Sequence, residues 1–250
     1  MSLALRKRFA YGAAGVLLLL AAWEWIGRSG WAGATFPALS SVLAVYFDKR
    51  LAALLYRSTL ATAGSALEGL ALGMLLGTAT AFVTHAVPPL RPGLDRLAVT
   101  LNAVPAIALG PIFIIMVSRD LTPVLLATIP VFFLLYVAVT SGLRATPRRL
   151  NEMMTTLGAA KLQRLLYVEL PYALPSFLSG MKISVTSAMI GAIVGEWFGA
   201  PTGLGIVILN TMQNFQIPLM WAAVLLTASI SLAGYGIMSL AESFTARRFT

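Results

Sequence analysis

Six long apolar segments constrain this chain more than any other feature. About 20 consecutive apolar residues cross the hydrocarbon core of a bilayer as a helix. The segments that satisfy this length lie at residues 9–26, 60–87, 94–117, 123–143, 174–198 and 219–241. Only 11% of the residues are charged and 58% are hydrophobic, whereas soluble domains carry about 25% charged residues. The sequence therefore predicts an all-α membrane protein with six transmembrane helices.

The first segment has two interpretations. It follows the basic run Arg6, Lys7 and Arg8, as the apolar core of a signal peptide would. However, no small-x-small cleavage site follows it, and Trp23 and Trp25 suit a membrane interface. We therefore expect a retained first span with a cytoplasmic N-terminus.

The basic residues indicate how the spans are oriented. The chain has 18 Lys and Arg against 9 Asp and Glu, and the basic residues lie mainly between the apolar segments. With the N-terminus inside, the cytoplasmic set is Arg6, Lys7, Arg8, Arg91, Arg96, Arg144, Arg148, Arg149, Lys161, Arg164, Lys182, Arg247 and Arg248. The external set is smaller: Arg28, Lys49, Arg50, Arg57 and Arg119. This bias predicts a multi-pass protein with both termini cytoplasmic, and it explains the positive charge without a nucleic-acid partner.

The chain divides into two parts. Residues 1–58 would hold the first span and one long external connection, in which residues 40–56 have the periodicity of an amphipathic helix. Residues 59–250 would form a core of five spans. In the second span, small residues recur every fourth position, which predicts close packing of another helix. They are Ala61, Ser65, Gly69, Gly73, Gly77 and Ala81.

Prolines inside the third and fourth spans predict bent helices. Pro105 and Pro111 lie in the third span and Pro130 in the fourth. Each proline removes a backbone donor and tends to kink its helix. Bent helices around a central path suit a transporter, although inert bundles contain them too.

A polar, basic insert interrupts the apolar pattern at residues 146–170. Thr146 and Pro147 resemble an N-cap and a first helical residue. One apolar stripe follows at helical spacing, consisting of Leu150, Met153, Met154 and Leu157. Gly158 then suits a left-handed helix end. A second short helix is expected at residues 161–167, and Pro171 and Pro175 would begin the return to the membrane.

This two-helix insert could occupy either of two environments. Its apolar stripe is too small for a domain core but fits a groove on another protein. Its basic residues would equally suit an amphipathic helix lying on lipid headgroups. The shape of the insert does not separate these alternatives.

The spacing within the insert resembles a known family. Permease subunits of bacterial ABC importers carry a cytoplasmic loop that reads EAA, three residues, Gly, nine residues, then Ile-x-Leu-Pro. This chain has Glu152-Met153-Met154, then Gly158, then Val168-Glu169-Leu170-Pro171, with the same gaps. It departs from the pattern by Met at both alanines and Val at the isoleucine, and flexible thioethers would need a roomier partner groove.

Further segments resemble the nitrate, sulfonate and taurine permease group of that family. They are residues 36–43, the proline-bearing stretch 105–111, and Glu196 with Gly203-Leu204-Gly205. The resemblance implies the MetI-like fold of type I ABC importer permeases, in the bacterial inner membrane. It also implies a second permease copy, two ABC ATPases and an extracytoplasmic substrate-binding protein, in addition to membrane lipids.

The resemblance assigns coupling to the ATPase to a short set of residues in the insert. They are Glu152, Met153, Met154, Leu157, Gly158, Leu170 and Pro171. The chain contains no glycine-rich phosphate loop ending in Lys-Ser or Lys-Thr. We therefore expect a non-enzymatic subunit without a cofactor, with ATP and Mg bound by the partner ATPase.

Polar residues within the spans are candidates for the transport path. Glu68 and Lys182 lie at similar depth and could pair, or Lys182 could reach the interface while Glu68 is protonated or faces water. Asn102 and Asn210 could touch the solute, but they equally suit helix packing.

Two further polar positions have alternatives of their own. Glu196 and Trp197 could contact the binding protein or line the exit, and a Trp there also suits an interface anchor. His85, the only histidine, is expected at a helix end in a capping or interfacial role rather than as a proton relay.

Three rival functions remain open on the residues alone. An ion-driven secondary transporter would need inverted repeats or a chain of intramembrane carboxylates, and neither is visible. An intramembrane enzyme would need a metal site or catalytic dyad, and the chain has one His and no Cys. A scaffold or channel subunit would not need the cytoplasmic helix pair.

Overall fold

The structure is a computed structural model that describes the backbone of residues 3–249 and the side chains of residues 11–244. Within that part of the chain, all regular structure is helical. The α-helices are α1 (Leu3–Ser29), α2 (Leu39–Ala44), α3 (Lys49–Ala86), α4 (Arg91–Ala103), α5 (Ala106–Met116), α6 (Thr122–Arg144), α7 (Arg148–Thr156), α8 (Lys161–Arg164), α9 (Leu170–Glu196), α10 (Leu204–Gln213) and α11 (Ile217–Phe249). Short 3₁₀ turns lie at Val45–Phe47 and Pro88–Leu90, and a π-helical turn lies at Leu165–Glu169.

The span count agrees in part with the six expected crossings. Among the described residues, four helices are long and apolar enough to cross a membrane: α3, α6, the continuous stretch from α8 through the π-helical turn to the end of α9, and α11. The bent pair α4–α5 adds a fifth if it is counted as one span. The first predicted span lies on α1, but its side chains before Tyr11, including Arg6, Lys7 and Arg8, lie outside the described residues. The sixth crossing therefore stays a prediction, as do the contributions of Arg247 and Arg248, whose side chains are likewise not described.

Helix α6 is the centre of the bundle and packs against both α3 and α9, and these three helices share one buried apolar cluster. Glycines make both contacts close: a Cβ at Gly73 would lie 2.6 Å from Val131 Cβ, and one at Gly191 would lie 2.6 Å from Ala127 Cα. The predicted small-residue stripe of the second span is therefore confirmed where α3 meets α6. No larger side chain would fit there without moving a helix.

The order of these contacts fixes the direction of each helix. Gly69 of α3 lies against Val124 and Ala127, whereas Gly77 lies against Phe132 and Leu135, so α3 and α6 run parallel. The chain must therefore return through the bundle thickness between them, and α4–α5 makes that return. Contacts of α9 with α6 run in the opposite order, because Gly142 meets Ala173 and Gly195 meets Pro123. Helices α6 and α9 are thus antiparallel.

The third predicted span is broken rather than merely kinked. Helices α4 and α5 meet at 95°. Val104 takes an extended conformation, with φ −72° and ψ 123°, as steric contact with the ring of Pro105 favours. Pro111 and Pro130, which were expected to bend their helices, lie inside α5 and α6 without ending them.

The predicted amphipathic helix at residues 40–56 is also interrupted. Asp48 stands between the 3₁₀ turn and α3, and its carboxylate accepts hydrogen bonds from Arg50 N at 2.8 Å and Leu51 N at 3.0 Å. This N-cap starts a new helix, so the prediction of one continuous helix is wrong. Helix α3 then runs without a break through residues 58 and 59, where the sequence analysis divided the chain.

An aromatic cluster joins the end of α1 to the beginning of α11. The Trp23 ring lies 5.2 Å from Trp221, and Trp23 Nε1 donates to Pro37 O at 3.0 Å. Tyr46 Oη donates to Ala222 O at 2.7 Å, and burial raises the pKa of this hydroxyl above its ordinary value. We call this side of the molecule the aromatic end. The helix pair α7–α8 lies at the opposite end, after α6 has crossed the bundle.

Candidate functional site

Within the α7–α8 segment, residues 146–170, helix α7 begins one residue later than expected, at Arg148. Pro147, rather than Thr146, precedes the first helical residue, and it is extended with φ −59° and ψ 128°. The Thr146 hydroxyl is buried and has no hydrogen-bond partner among the described residues. The prediction of a Thr146 N-cap is therefore wrong, because the extended proline itself starts the helix.

Gly158 ends helix α7 as the sequence predicted. Its φ is +78°, a region that residues with a Cβ rarely adopt. Gly158 N donates to Thr155 O at 3.0 Å, and Ala159 N donates to Met154 O at 2.9 Å. This bond pair is a Schellman motif, which satisfies two carbonyls at the helix end. A Cβ at Gly158 would meet no atom within 4 Å, so backbone conformation alone favours glycine here.

The second helix of the segment differs from the expected one. Helix α8 is a single turn that continues through the π-helical turn Leu165–Glu169 directly into α9. Pro171 occupies the first turn of α9 and Pro175 lies inside that helix, so neither proline separates the segment from the span. Arg164 Nη1 donates to Thr155 Oγ1 at 2.6 Å, which fixes α8 against α7.

The α7–α8 segment presents an apolar surface that no other described residue covers. Five large side chains are about half exposed or more: Met153 at 53%, Leu157 at 73%, Leu162 at 63%, Leu166 at 49% and Tyr167 at 74%. Among the other predicted coupling residues, Glu152 and Gly158 are exposed, whereas Met154, Leu170 and Pro171 are half-buried. The exposed surface therefore combines the expected stripe on α7 with the α8 side of the segment. Met153 and Leu157 lie outside the candidate spans, whereas Leu162, Leu166 and Tyr167 lie on the first turns of the helix that continues into the α9 span. An exposed apolar surface at the end of the bundle suits a protein partner.

A close contact between His85 and Glu169 connects this segment to helix α3, and the sequence analysis missed it. His85 Nε2 lies 2.7 Å from Glu169 Oε2, and the Glu169 side chain is only 11% exposed. His85 therefore has an electrostatic partner beyond the predicted helix-end position. Glu169 lies within the Val-Glu-Leu-Pro end of the insert, and a buried carboxylate needs a partner. The only sequence feature that could have indicated this contact is His85 itself, a single histidine at the end of a helix.

The predicted pairing of Glu68 with Lys182 is wrong. Lys182 Nζ lies 2.5 Å from Glu242 Oε2, and Ser179 Oγ donates to the other carboxylate oxygen. This contact joins α9 to α11. Glu242 was not considered because it follows the sixth apolar segment. Glu68 forms no ion pair among the described residues.

Glu68 instead lines a cavity of about 370 Å³ toward the aromatic end of the bundle. Asp120, Ser65 and Thr202 contribute further polar groups, and no basic residue lines it among the described side chains. The Glu68 side chain is exposed on the surface of the single chain. A carboxylate within a span usually faces the interior of an assembly or a water-filled cavity rather than lipid.

Glu196 is buried and does not face a path or a docking surface. It is 1% exposed, and its carboxylate accepts a hydrogen bond from Gly205 N at 2.6 Å. Gly203, with φ +143°, lies so close that a Cβ would collide with this carboxylate. The expectation that Glu196 contacts the solute or binding protein is thus contradicted. Trp197, its neighbour, is 39% exposed.

The two candidate asparagines lie in different settings. Asn210 lines a cavity of about 300 Å³ beside α10 together with Thr202, Asn214 and Gln216. Asn102 is exposed beside the α4–α5 bend. Its side chain makes no hydrogen bond within the described part of the chain. Glu68 and Asn210 line two separate cavities that share Pro201 and Thr202, and Asn102 lines neither of them.

Comparison with known proteins relates this arrangement to a transport family. A family described as the inner membrane component of binding-protein-dependent transport systems matches residues 69–247. A probable ABC transporter permease protein of Haemophilus influenzae is 33% identical over 223 residues, covering 88% of this chain and 89% of that protein. The riboflavin transport system permease protein RibX of Chloroflexus aurantiacus is 30% identical over 247 residues, covering 96% and 92%.

A solved structure supports the same fold. An inward-facing structure of the MetNI methionine ABC transporter superposes with a TM-score of 0.66 at 19% identity, covering 81% of this chain and 99% of that one. At this identity the likeness shows the fold alone. The family match spans most of the chain and includes the α7–α8 segment. The chain therefore belongs to the family of inner membrane components of binding-protein-dependent transport systems, and it is a permease subunit of an ABC importer.

Proposed function

We propose that the α7–α8 segment is the site at which this permease engages its ATPase. The observation that carries the proposal is the exposed apolar surface around Leu157, at an end of the bundle where no described element covers it. The Schellman motif at Gly158 and the Arg164–Thr155 contact make this surface rigid. A pre-formed helix ridge binds a groove with little ordering cost.

ATP binding in the partner would then draw two ATPases together and move the segment. Helices α6 and α9 would tilt, since they enter and leave the segment. The path would open toward a docked binding protein, and hydrolysis would reset it. Such rigid-body gating is the general form of alternating access. The assembly requires a second permease copy to complete the path, and ATP and Mg stay in the ATPase.

A charge placed on the apolar ridge tests this assignment. Leu157→Glu should reduce co-purification of the ATPase more than tenfold, because a buried anchor of this kind contributes about 2 kcal/mol or more to binding. Thr156→Glu is the matched control, since it adds the same charge at an exposed neighbour outside the stripe. The measurement is the ATPase to permease ratio after affinity purification. Equal ratios for Leu157→Glu and the native chain would instead indicate that the segment lies on lipid headgroups.

We further propose that the α7–α8 end is cytoplasmic and that the aromatic end faces outward, in a bacterial inner membrane. The ATP that drives the importer is cytoplasmic, so the ATPase site must be on that side. Arg144, Arg148, Arg149, Lys161 and Arg164 lie at this end, as a positive-inside bias requires. Both termini would then be cytoplasmic.

The solute is proposed from the cavity chemistry and the relatives. Relatives include a formylaminopyrimidine transport permease of Halalkalibacterium halodurans, 32% identical over 176 residues and covering 70% of each chain. Others are named for riboflavin and for aliphatic sulfonates. The Glu68 and Asp120 carboxylates line the cavity at the outward side without a lining cation, which disfavours an anionic sulfonate electrostatically. We therefore propose a neutral or cationic heterocycle as the transported solute, ahead of an anionic sulfonate.

A binding panel on the partner binding protein tests that preference. We expect a pyrimidine or flavin to bind at least tenfold more tightly than taurine, an alkylsulfonate or nitrate, as measured by titration calorimetry. One favourable hydrogen bond or stacked ring is worth about 1 kcal/mol, so two or more would produce this difference. Tighter binding of a sulfonate would reverse the order proposed here.

A further inference from the structure

We propose that His85 and Glu169 form the positioning contact through which movement of the α7–α8 segment reaches helix α3. The inference rests on the proposed function, because it concerns how that movement spreads. Helices α6 and α9 are joined to the segment by the chain itself. Helix α3 has no such connection, and the His85–Glu169 pair is its one polar side-chain contact to the segment among the described residues.

The pair is built for a fixed geometry. The 2.7 Å contact joins the last turn of α3 to the last residue of the π-helical turn Leu165–Glu169. A π turn places one more residue in a helical turn, and such turns are frequent at functional sites. Glu169 is buried, so separating it from His85 would leave a buried carboxylate without its partner. Separation of the two elements therefore costs free energy, because it leaves the Glu169 carboxylate without a partner. This cost favours movement of the two elements together.

Helix α3 carries this movement toward the aromatic end. Thr62, 23 residues before His85 on the same helix, accepts a hydrogen bond from Leu204 N at 2.8 Å and is fully buried. At 1.5 Å per residue the two contacts are roughly 34 Å apart along the helix. Leu204 begins α10, beside the turn that encloses Glu196. One continuous helix thus joins the α7–α8 segment to the outward turn at residues 200–205.

Packing provides a second route, and the experiment must separate the two. Gly73 and Gly77 press α3 against α6 in the middle of the bundle, so α3 could follow α6 without the His85–Glu169 contact. In that case His85 would contribute to stability alone. The distinguishing quantity is the relative position of the α3 end and the α7–α8 segment, with and without the pair, in the same nucleotide state.

Spin-label distances in the intact permease–ATPase complex measure this position. The chain has no native cysteine, so Ala86→Cys and Lys161→Cys place one label on each side of the pair. Labelled chains are diluted with unlabelled ones, and distances are recorded without nucleotide and after trapping with ATP and vanadate. In the native background the Ala86–Lys161 distance should stay constant. In His85→Ala it should change on trapping by about 2–5 Å, the scale of helix shifts in switching proteins.

Two controls separate the contact from general stability. His85→Gln keeps an N–H donor toward Glu169 and should retain the native behaviour. Arg91→Ala removes an ion pair with Asp95 at the same end of the bundle, 3.5 Å long, without touching the α7–α8 segment, and should also leave the distance constant. If His85→Ala fails to assemble, Glu169→Gln is measured in its place, because it keeps the size of the side chain and removes the carboxylate that faces His85; the Ala86–Lys161 distance should then change on trapping as expected for His85→Ala.

A second label pair distinguishes this proposal from the proposed function. Lys161→Cys with Gln216→Cys reports movement of the α7–α8 segment relative to the aromatic end. If that distance changes on trapping while Ala86–Lys161 stays constant in His85→Ala, the positioning role is overturned and the coupling function stands. If Lys161–Gln216 never changes in the native complex, both proposals fail.

Discussion

At the scale of single residues, Gly158 offers the sharpest prediction. Gly158→Val would force a β-branched residue to φ +78°, at a cost of about 1–3 kcal/mol or a changed helix end. Because a Cβ there meets open space, the rest of the bundle should fold. We expect assembly with the ATPase to persist while solute uptake falls at least fivefold and ATP hydrolysis continues. Uptake in proteoliposomes, divided by hydrolysis, measures this uncoupling.

Gly158→Asn is the matched comparison for that substitution. Asparagine tolerates the left-handed region better than other residues with a Cβ, so it should retain most of the uptake. Native uptake by an assembled Gly158→Val complex would show that the shape of this helix end does not matter for coupling.

The same residue scale shows where sequence interpretation succeeds and where it stops. Gly158 could be predicted because its conformation depends on local chain geometry that glycine alone adopts easily. The partner of Lys182 could not be predicted in this way, because Glu68 and Glu242 are both carboxylates in or beside apolar helices. The choice depends on helix rotation and packing, and α11 presents Glu242 to Lys182 at 2.5 Å.

At the scale of elements, hydrophobic length found the helices but not their interruptions. Pro105, Pro111 and Pro130 carry the same local penalty, yet only Pro105 coincides with a break, the 95° bend between α4 and α5. The extended Val104 must be accommodated by neighbouring packing, which a sequence pattern does not contain. The N-cap at Asp48 could have been predicted from the sequence, since an aspartate directly before a helical run commonly caps the start of a helix.

Elements at the α7–α8 end show the complementary case. The Schellman end of α7 was predicted, whereas the π-helical turn that fuses α8 with α9 was not. Prolines at 171 and 175 suggested a separate return segment, but the first turn of a helix needs no donor from Pro171. Because the segment continues into α9 without a break, we expect α9 to move whenever the segment moves.

At the scale of the whole molecule, the parallel alignment of α3 and α6 determines the topology. Two parallel helices require a crossing between them, so Pro89 before α4 and Asp120 after α5 should lie on opposite sides of the membrane. A re-entrant α4–α5 hairpin would leave both on one side and would need α3 and α6 to be antiparallel, contrary to the order of the glycine contacts. The broken pair is therefore a span that passes through the bundle, with the polar bend near Asn102 within it.

Cysteine labelling tests this topology and its orientation together. The native chain has no cysteine and serves as its own unlabelled control. With a membrane-impermeant maleimide on intact spheroplasts, Asp120→Cys and Gln216→Cys should react directly, whereas Pro89→Cys and Thr156→Cys should react only after permeabilisation. The reason is that the α7–α8 end must meet cytoplasmic ATPase while the parallel helices place Asp120 at the opposite end. Direct labelling of Thr156→Cys would show that the orientation is the reverse of the one proposed. Equal labelling of Pro89→Cys and Asp120→Cys would show that α4–α5 is a re-entrant hairpin rather than a span.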